Sequence, residues 1–286
     1  MDYFFFVGTI ICIWALVSLA VNLVLGYTGL FSIGHVGYLA IGAYTSASLN
    51  ILLGVPFLLT LPIAVLVTAG VAWLTLLPLL RLAPFHFGLA TLGLNVVIAD
   101  LLRNLGPRTR GAEGLYGLQV PDLVAGAAGR FLLVLVLTAV CAAGVRVLVG
   151  APFGRALRAL RDRPEALQSL GKDPRQFQVL AWTISGAIAG LAGALYATTL
   201  FYIDPTVFLV TFSFNVLVYV GVGGLASIAG SLLGPLLLIA FSESLRFTGL
   251  PSDVSGPVQQ ALFGLLLILL MLFRRRGLVG TYELRD

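Results

Sequence analysis

Long apolar runs separated by short polar stretches set the pattern of this chain. They cover residues 4–25, 56–80, 86–104, 131–149, 177–199, 207–222, 230–246 and 257–273. Most reach the roughly 17–25 residues that a helix needs to cross a bilayer. A further segment, 26–48, is apolar but interrupted by Gly26, Gly29, Gly34, Gly37 and Gly42. Backbone that leaves the helix at membrane depth is tolerated only where protein buries it or where it lines a cavity. The segment is therefore predicted to be broken or re-entrant. The stretch Gly221–Pro235, with Gly223 and Gly224, repeats that pattern in the second half. Paired interruptions of this kind point to a substrate route in membrane carriers built from repeats. The pattern predicts an all-α polytopic membrane protein of about 8–10 spans with broken or re-entrant segments, forming one transmembrane domain over residues 1–286.

Composition supports the class. Only 10% of the 286 residues are charged and 59% are hydrophobic, with a mean hydropathy of +1.04. A soluble domain carries roughly 25% charged residues, so a soluble fold is excluded. The net charge of +5 does not indicate nucleic-acid binding, because the basic residues gather in one loop and the C-terminal tail. Cys12 and Cys141 lie in apolar runs and form neither a disulfide framework nor a metal spacing. No Lys or Arg precedes the first run and no small-residue cleavage site follows it, so a retained first span is expected.

Polar positions inside the spans are the candidates for a translocation path. His35 and Tyr38 share a helix face with Gly42, and an ionisable side chain at membrane depth is a functional candidate by default. Asn95 shares a face with Thr91. Thr211, Asn215 and Tyr219 form a stripe at four-residue spacing that should avoid lipid. His35, Tyr38, Asn95, Thr211 and Asn215 are thus the path candidates, with interhelical hydrogen bonding as the alternative for each. Trp14, Ser18 and Asn22 share a face in the first run, where a packing hydrogen bond is the simpler reading. Gly186 and Gly190 form a G-x-x-x-G pattern that lets two helix backbones approach closely. Gly34, Gly37, Gly223 and Gly224 are read with them as break or packing positions. The loop 106–129 offers a docking or gating surface.

The densest charged segment is Gly154–Gly171. Arg155, Arg158 and Arg161 recur every third residue, near one helix face. Pro164 cannot continue that helix. Asp162 and Glu165 have capping-box spacing for a new helix over about 163–170, and Gly171 suits its C-terminal cap. Ala166, Leu167 and Leu170 would share one side of it. Asp173 and Pro174 then read as the start of the next helix. A short capped helix between two spans suits docking into a groove on another protein; the alternative is a basic loop that only sets orientation. Positive-inside placement puts residues 150–177 and the tail 274–286 in the cytoplasm, with Met1 outside.

Chemistry in this chain is poorly supported. No G-x-x-x-x-G-K-[ST] run or H-E-x-x-H is present, and His35 and His86 are far apart in sequence. Asp100 and Glu243 lie near span ends, which is weak ground for ion coupling. A carrier of this kind needs a partner that supplies energy.

Four runs carry a resemblance: G-Y-T-G-L-F-S-I-G-H-V-G-Y-L-A-I-G-A-Y-T (26–45), G-R-A-L-R-A-L-R-D (154–162), A-G-L-A-G-A-L-Y-A (189–197) and G-G-L-A-S-I-A-G-S-L-L-G-P (223–235). In this order they resemble the permease subunits of ATP-binding cassette importers for branched-chain amino acids, the LivM type, with urea-importer permeases as close relatives. Such permeases present an E-A-A-x-x-x-G loop to their ATPase. Glu165, Ala166 and Gly171 match it, and Leu167 replaces the second Ala. The resemblance implies a permease in a bacterial plasma or inner membrane, paired with a second permease subunit. It also implies two cytoplasmic ATP-binding subunits that hold ATP and Mg, an extracytoplasmic solute-binding protein, and no cofactor in this chain. Arg155, Arg158, Arg161, Asp162, Glu165, Ala166, Leu167, Leu170 and Gly171 are the expected coupling residues, with Leu167 and Leu170 filling the ATPase groove. Urea or a short amide is the alternative substrate, and a stand-alone secondary transporter the alternative mechanism.

Overall fold

The computed structural model describes residues 1–106, 109–246, 261–262, 264–265 and 277–280. Its helices are α1 (Asp2–Thr28), α2 (His35–Leu53), α3 (Phe57–Leu79), α4 (Pro84–Asn104), α5 (Asp122–Ala125), α6 (Ala127–Gly150), α7 (Pro152–Asp162), α8 (Pro164–Ser169), α9 (Pro174–Leu200), α10 (Val210–Gly223) and α11 (Ile228–Arg246). Among the described residues, six of these are long and apolar enough to cross a membrane alone: α1, α2, α3, α4, α6 and α9. α10 and α11 pass that test only together, bent by 117° at their junction. The chain is a multi-pass membrane protein. Each apolar run that falls on described residues folds as a helix. The run 257–273 and Arg274–Arg276 lie outside the described residues, apart from four positions in the run.

The segment 26–48 is not a broken or re-entrant element as expected. Residues 29–34 connect two full spanning helices, and Gly37 and Gly42 lie within the unbroken α2, where they serve close packing rather than a break. Gly29 ends α1 in the left-handed region, φ 76°. The chain then turns inward, and the Ile33 amide donates to Thr91 Oγ1 on α4 at 3.1 Å. The break expected in 221–235 is the α10–α11 junction. There Gly223 and Gly230 touch backbone to backbone; a Cβ on Gly223 would lie 2.0 Å from the Gly230 carbonyl oxygen.

α9 is the central helix, packed on α1, α2 and α3. Its small residues explain why. Gly186 and Gly190 meet Ala72 and Thr68 of α3, while Gly193 lies on the Leu39 carbonyl of α2, where a Cβ would come within 1.9 Å. Gly42 of α2 completes the seam against the backbone of Gly190. The outward faces of α3 and α6 are mainly apolar, with Leu66, Trp73, Leu74, Val140 and Val147 exposed, as a lipid-facing surface requires.

The two ends of the bundle are distinct. At one end Tyr3 hydrogen-bonds Glu243, Arg130 Nη1 donates to the Thr199 carbonyl, and a two-stranded ribbon, β1 (Leu115–Tyr116) with β2 (Tyr202–Ile203), closes the surface. Asn50 ties the loop at this end: its side chain donates to the Gln119 carbonyl and accepts from the Gln119 amide. The other end carries α7 and α8 with Arg155, Arg158, Arg161, Arg163, Lys172 and Arg175. By the positive-inside rule that basic end is the one expected to face the cytoplasm.

The seam gives a direct test. Gly193→Leu should force α2 and α9 apart and destabilise the fold by about 1–3 kcal/mol or more, the usual scale of overpacking. Gly70→Leu, where nothing lies within 4 Å, should be neutral. Thermal unfolding of the purified protein in detergent would compare them; equal midpoints would rule out a close-packed seam.

Candidate coupling elbow and translocation groups

α7, α8 and the start of α9 form a compact elbow at the basic end. Arg163, at the junction of α7 and α8, is extended, and Pro164 occupies the first position of α8. The capping box expected from Asp162 and Glu165 does not form. Asp162 is the last residue of α7, one place too early to cap α8, and its carboxylate accepts from Arg161 Nε at 2.9 Å. Gly171, φ 72°, closes α8, with its amide donating to the Gln168 carbonyl and the Lys172 amide to that of Leu167. Asp173 caps α9 by accepting from the Arg175 amide at 2.9 Å.

The three arginines do not act as one exposed face. Arg155 is exposed and Arg158 is half-buried. Arg161 turns inward and donates from Nη1 to the Gly26 carbonyl at 2.7 Å. A cation at the carbonyl end of α1 is favoured by the helix dipole as well as by the bond itself. Successive steps of three residues rotate a helical position by about 60°, which carries Arg161 from the outer face to the bundle. Leu167, expected to fill a partner's groove, is buried against Ala156, Leu160 and Phe177 of this chain. It anchors α8, a helix of only six residues, to the bundle. Leu170 is 72% exposed, and Glu165 is exposed beside it. α8 itself is in place, and the side chain of Ala166 lies outside the described residues.

His35 and Tyr38 sit inside the bundle, each at the centre of a hydrogen-bond chain. Ser185 Oγ donates to the Ala20 carbonyl at 2.7 Å, so it accepts from His35 Nε2 at 2.8 Å. Nδ1 is then the acceptor for Ser32 Oγ at 2.9 Å. The bonds place a proton on Nε2, and burial favours the uncharged imidazole that accepts at Nδ1. In the second chain Trp182 Nε1 donates to Tyr38 Oη at 3.0 Å, Tyr38 donates to Thr75 Oγ1 at 2.7 Å, and Thr75 donates to the Val71 carbonyl. His35 and Tyr38 on α2 thus face Ser185 and Trp182 on α9, both pairs three residues apart. The arrangement binds four helices and satisfies every polar atom of both side chains.

Asn95 is buried between α2, α4 and α10. Its Nδ2 donates to Ser213 Oγ at 3.2 Å, while Oδ1 has no hydrogen-bond partner and lies beside Gly37. Thr211 is exposed, Asn215 half-buried and Tyr219 buried against Trp14. A four-residue step rotates by about 40°, so the stripe winds from the open surface into the core. Gly34 starts α2 with its Cα against the Thr91 carbonyl.

Asn22 makes more than one packing hydrogen bond. Its Nδ2 donates to the Ser227 carbonyl at 2.8 Å and to Ser231 Oγ at 2.7 Å, while Oδ1 accepts from the Ala226 amide at 2.9 Å. One side chain on α1 therefore holds the whole α10–α11 junction. Below it the Leu278 and Val279 amides donate to the Val222 and Gly223 carbonyls, the open end of α10. Nothing local in sequence pairs Asn22 with a junction some 200 residues away.

The sequence matches the family described as branched-chain amino acid transport system / permease component over residues 3–273. This chain belongs to that permease family. It is 31% identical to the high-affinity branched-chain amino acid transport system permease protein LivM of Escherichia coli (strain K12), across 96% of this chain and 69% of that protein. It is 25% identical to a branched-chain amino acid transport permease protein LivM of Methanocaldococcus jannaschii, covering 93% of this chain and 90% of that one. It is 29% identical to a LivH permease of the same organism across 83% of this chain and 79% of that one. No solved structure matches it significantly. Within this permease family fold, the elbow and the α10–α11 junction are where the chain departs from plain spanning helices.

Replacing Asn22 tests the junction. Asn22→Leu keeps the bulk and removes the bonds to the Ser227 carbonyl, Ser231 Oγ and the Ala226 amide, at a cost of about 1–3 kcal/mol. A cysteine at Ser227, buried here, should then react faster with a small maleimide. Unchanged reactivity would mean that the junction holds without the clamp.

Proposed function

We propose that the chain is the membrane-spanning subunit of an ATP-driven importer of branched-chain amino acids in the bacterial plasma membrane. It pairs with a second permease subunit and is worked by two cytoplasmic ATPases that carry ATP and Mg. An extracytoplasmic solute-binding protein delivers the solute, and alternating access moves it inward. The observation that carries the reading is the family match along nearly the whole chain. The LivM and LivH proteins it resembles are named as branched-chain amino acid permeases.

The elbow geometry supports a coupling role and divides the labour. Arg155, Glu165 and Leu170 offer side chains to a partner. Arg158, Arg161, Asp162, Leu167 and Gly171 shape and fasten the elbow. A push on α8 reaches α9 through Leu167 and Phe177, and α1 through Arg161 and the Gly26 carbonyl. Those two helices hold the central seam and the Asn22 clamp, so displacement at α8 has a rigid route to the α10–α11 junction.

The test is reconstitution with the partner subunits in proteoliposomes. ATP-dependent leucine uptake is expected. Leu170→Glu should weaken ATPase association by about 2 kcal/mol, roughly 30-fold, the scale of an interface hot spot. Gln168→Pro should abolish stimulated ATP hydrolysis with membrane insertion intact. Uptake that persists without any ATPase, or urea uptake in place of leucine uptake, would overturn the proposal.

A further inference from the structure

The end of the bundle away from the elbow holds a cavity that neither the elbow nor the polar ties use. It measures about 570 Å³ and lies between α2 and α4, inside the roughly 300–1,000 Å³ range of small-molecule sites. Leu49, Leu102 and Leu105 form aliphatic walls, and Tyr44, Thr45 and Ser48 bring hydroxyls along one strip of α2. None of its lining side chains is charged.

Two features separate this cavity from the lipid-facing surface. First, Thr45 and Ser48 keep accessible surface partway along a spanning helix. The exposed surfaces of α3 and α6 are mainly apolar, with Trp73 among the aliphatic side chains, and hydroxyl-bearing surface is disfavoured against lipid. Second, non-helical chain stands beside it. Phe208, in the turn Pro205–Phe208, meets the Tyr44 ring edge-on at 6.3 Å, and Tyr44 Oη donates to the Ile203 carbonyl of the ribbon at 3.4 Å. That turn does not line the cavity itself; it holds in place the Tyr44 ring that forms one of its walls.

We infer that this cavity is a solute site reached from the extracytoplasmic side, and that it takes the aliphatic side chain of the transported amino acid. The inference rests on the transport reading above. The walls accept a branched alkyl group and carry no charged partner for an ammonium or carboxylate. Those groups stay at the mouth, in reach of water and of the α2 hydroxyls. Tyr44 links the site to the ribbon and so to the surface that receives solute.

The experiment uses the reconstituted complex. Wild-type uptake of leucine and of valine is measured first; its absence would sink the transport reading rather than this site. Ser48→Leu then narrows the cavity. Leucine uptake should fall about tenfold more than valine uptake, because one methylene in an apolar pocket is worth roughly 1–3 kcal/mol. Equal losses for both amino acids, or no loss, would overturn the assignment. If Ser48→Leu does not assemble, Ser48→Cys in a chain lacking Cys12 and Cys141 gives a second readout. Turnover with leucine should slow its reaction with a membrane-impermeant thiosulfonate. A rate indifferent to leucine, whether lipid or the second permease covers the cavity, would overturn it equally.

Discussion

Between helices in lipid there is no hydrophobic driving force, because lipid tails are as apolar as leucine. Association must come from close backbone approach and from polar groups that have nowhere else to go. α9 meets both demands. Gly186, Gly190 and Gly193 remove the side chains that would hold α2 and α3 at a distance. Trp182 and Ser185 then reach His35 and Tyr38 at hydrogen-bond distance. The two effects depend on each other: without the glycines the donors could not meet, and without the bonds the register of the helices would be free to slip.

The rigid seam is bordered by two departures from plain helix. At the basic end the elbow is fixed by inward-turned side chains, Arg161 on the Gly26 carbonyl and Leu167 on Phe177. In the second half the α10–α11 junction hangs on Asn22 and on the amides of Leu278 and Val279. α1 joins these regions, since it carries both Gly26 and Asn22, one turn apart. A force applied at the elbow therefore meets the junction through a short length of helix rather than through loops.

Much of this was legible in the chain itself. Apolar runs located the helices, Gly171 and Asp173 marked the ends of α8 and α9, and the G-x-x-x-G run marked a seam. The side-chain roles were less legible. His35 and Tyr38 read as path groups because an isolated polar residue in an apolar run looks the same whether it faces water or another helix. Arg161 and Leu167 read as partner contacts because spacing shows which residues share a face, and does not show what that face touches. Asn22 drew little notice, since its partners at 224–231 are remote in sequence. The run Y-T-S-A-S at 44–48 was the available signal for the α2 hydroxyls, and it was absorbed into the glycine pattern around it.

The sequence by itself determined the solvent and the secondary structure. Runs of this length and hydrophobicity can satisfy their backbone only as helices in lipid, and the arginine bias orients them. Tertiary structure alone decided which polar groups are spent on holding helices together and which remain accessible. Hydrogen-bond partners and cavities belong to pairs of helices that may be hundreds of residues apart, and no local spacing encodes their meeting.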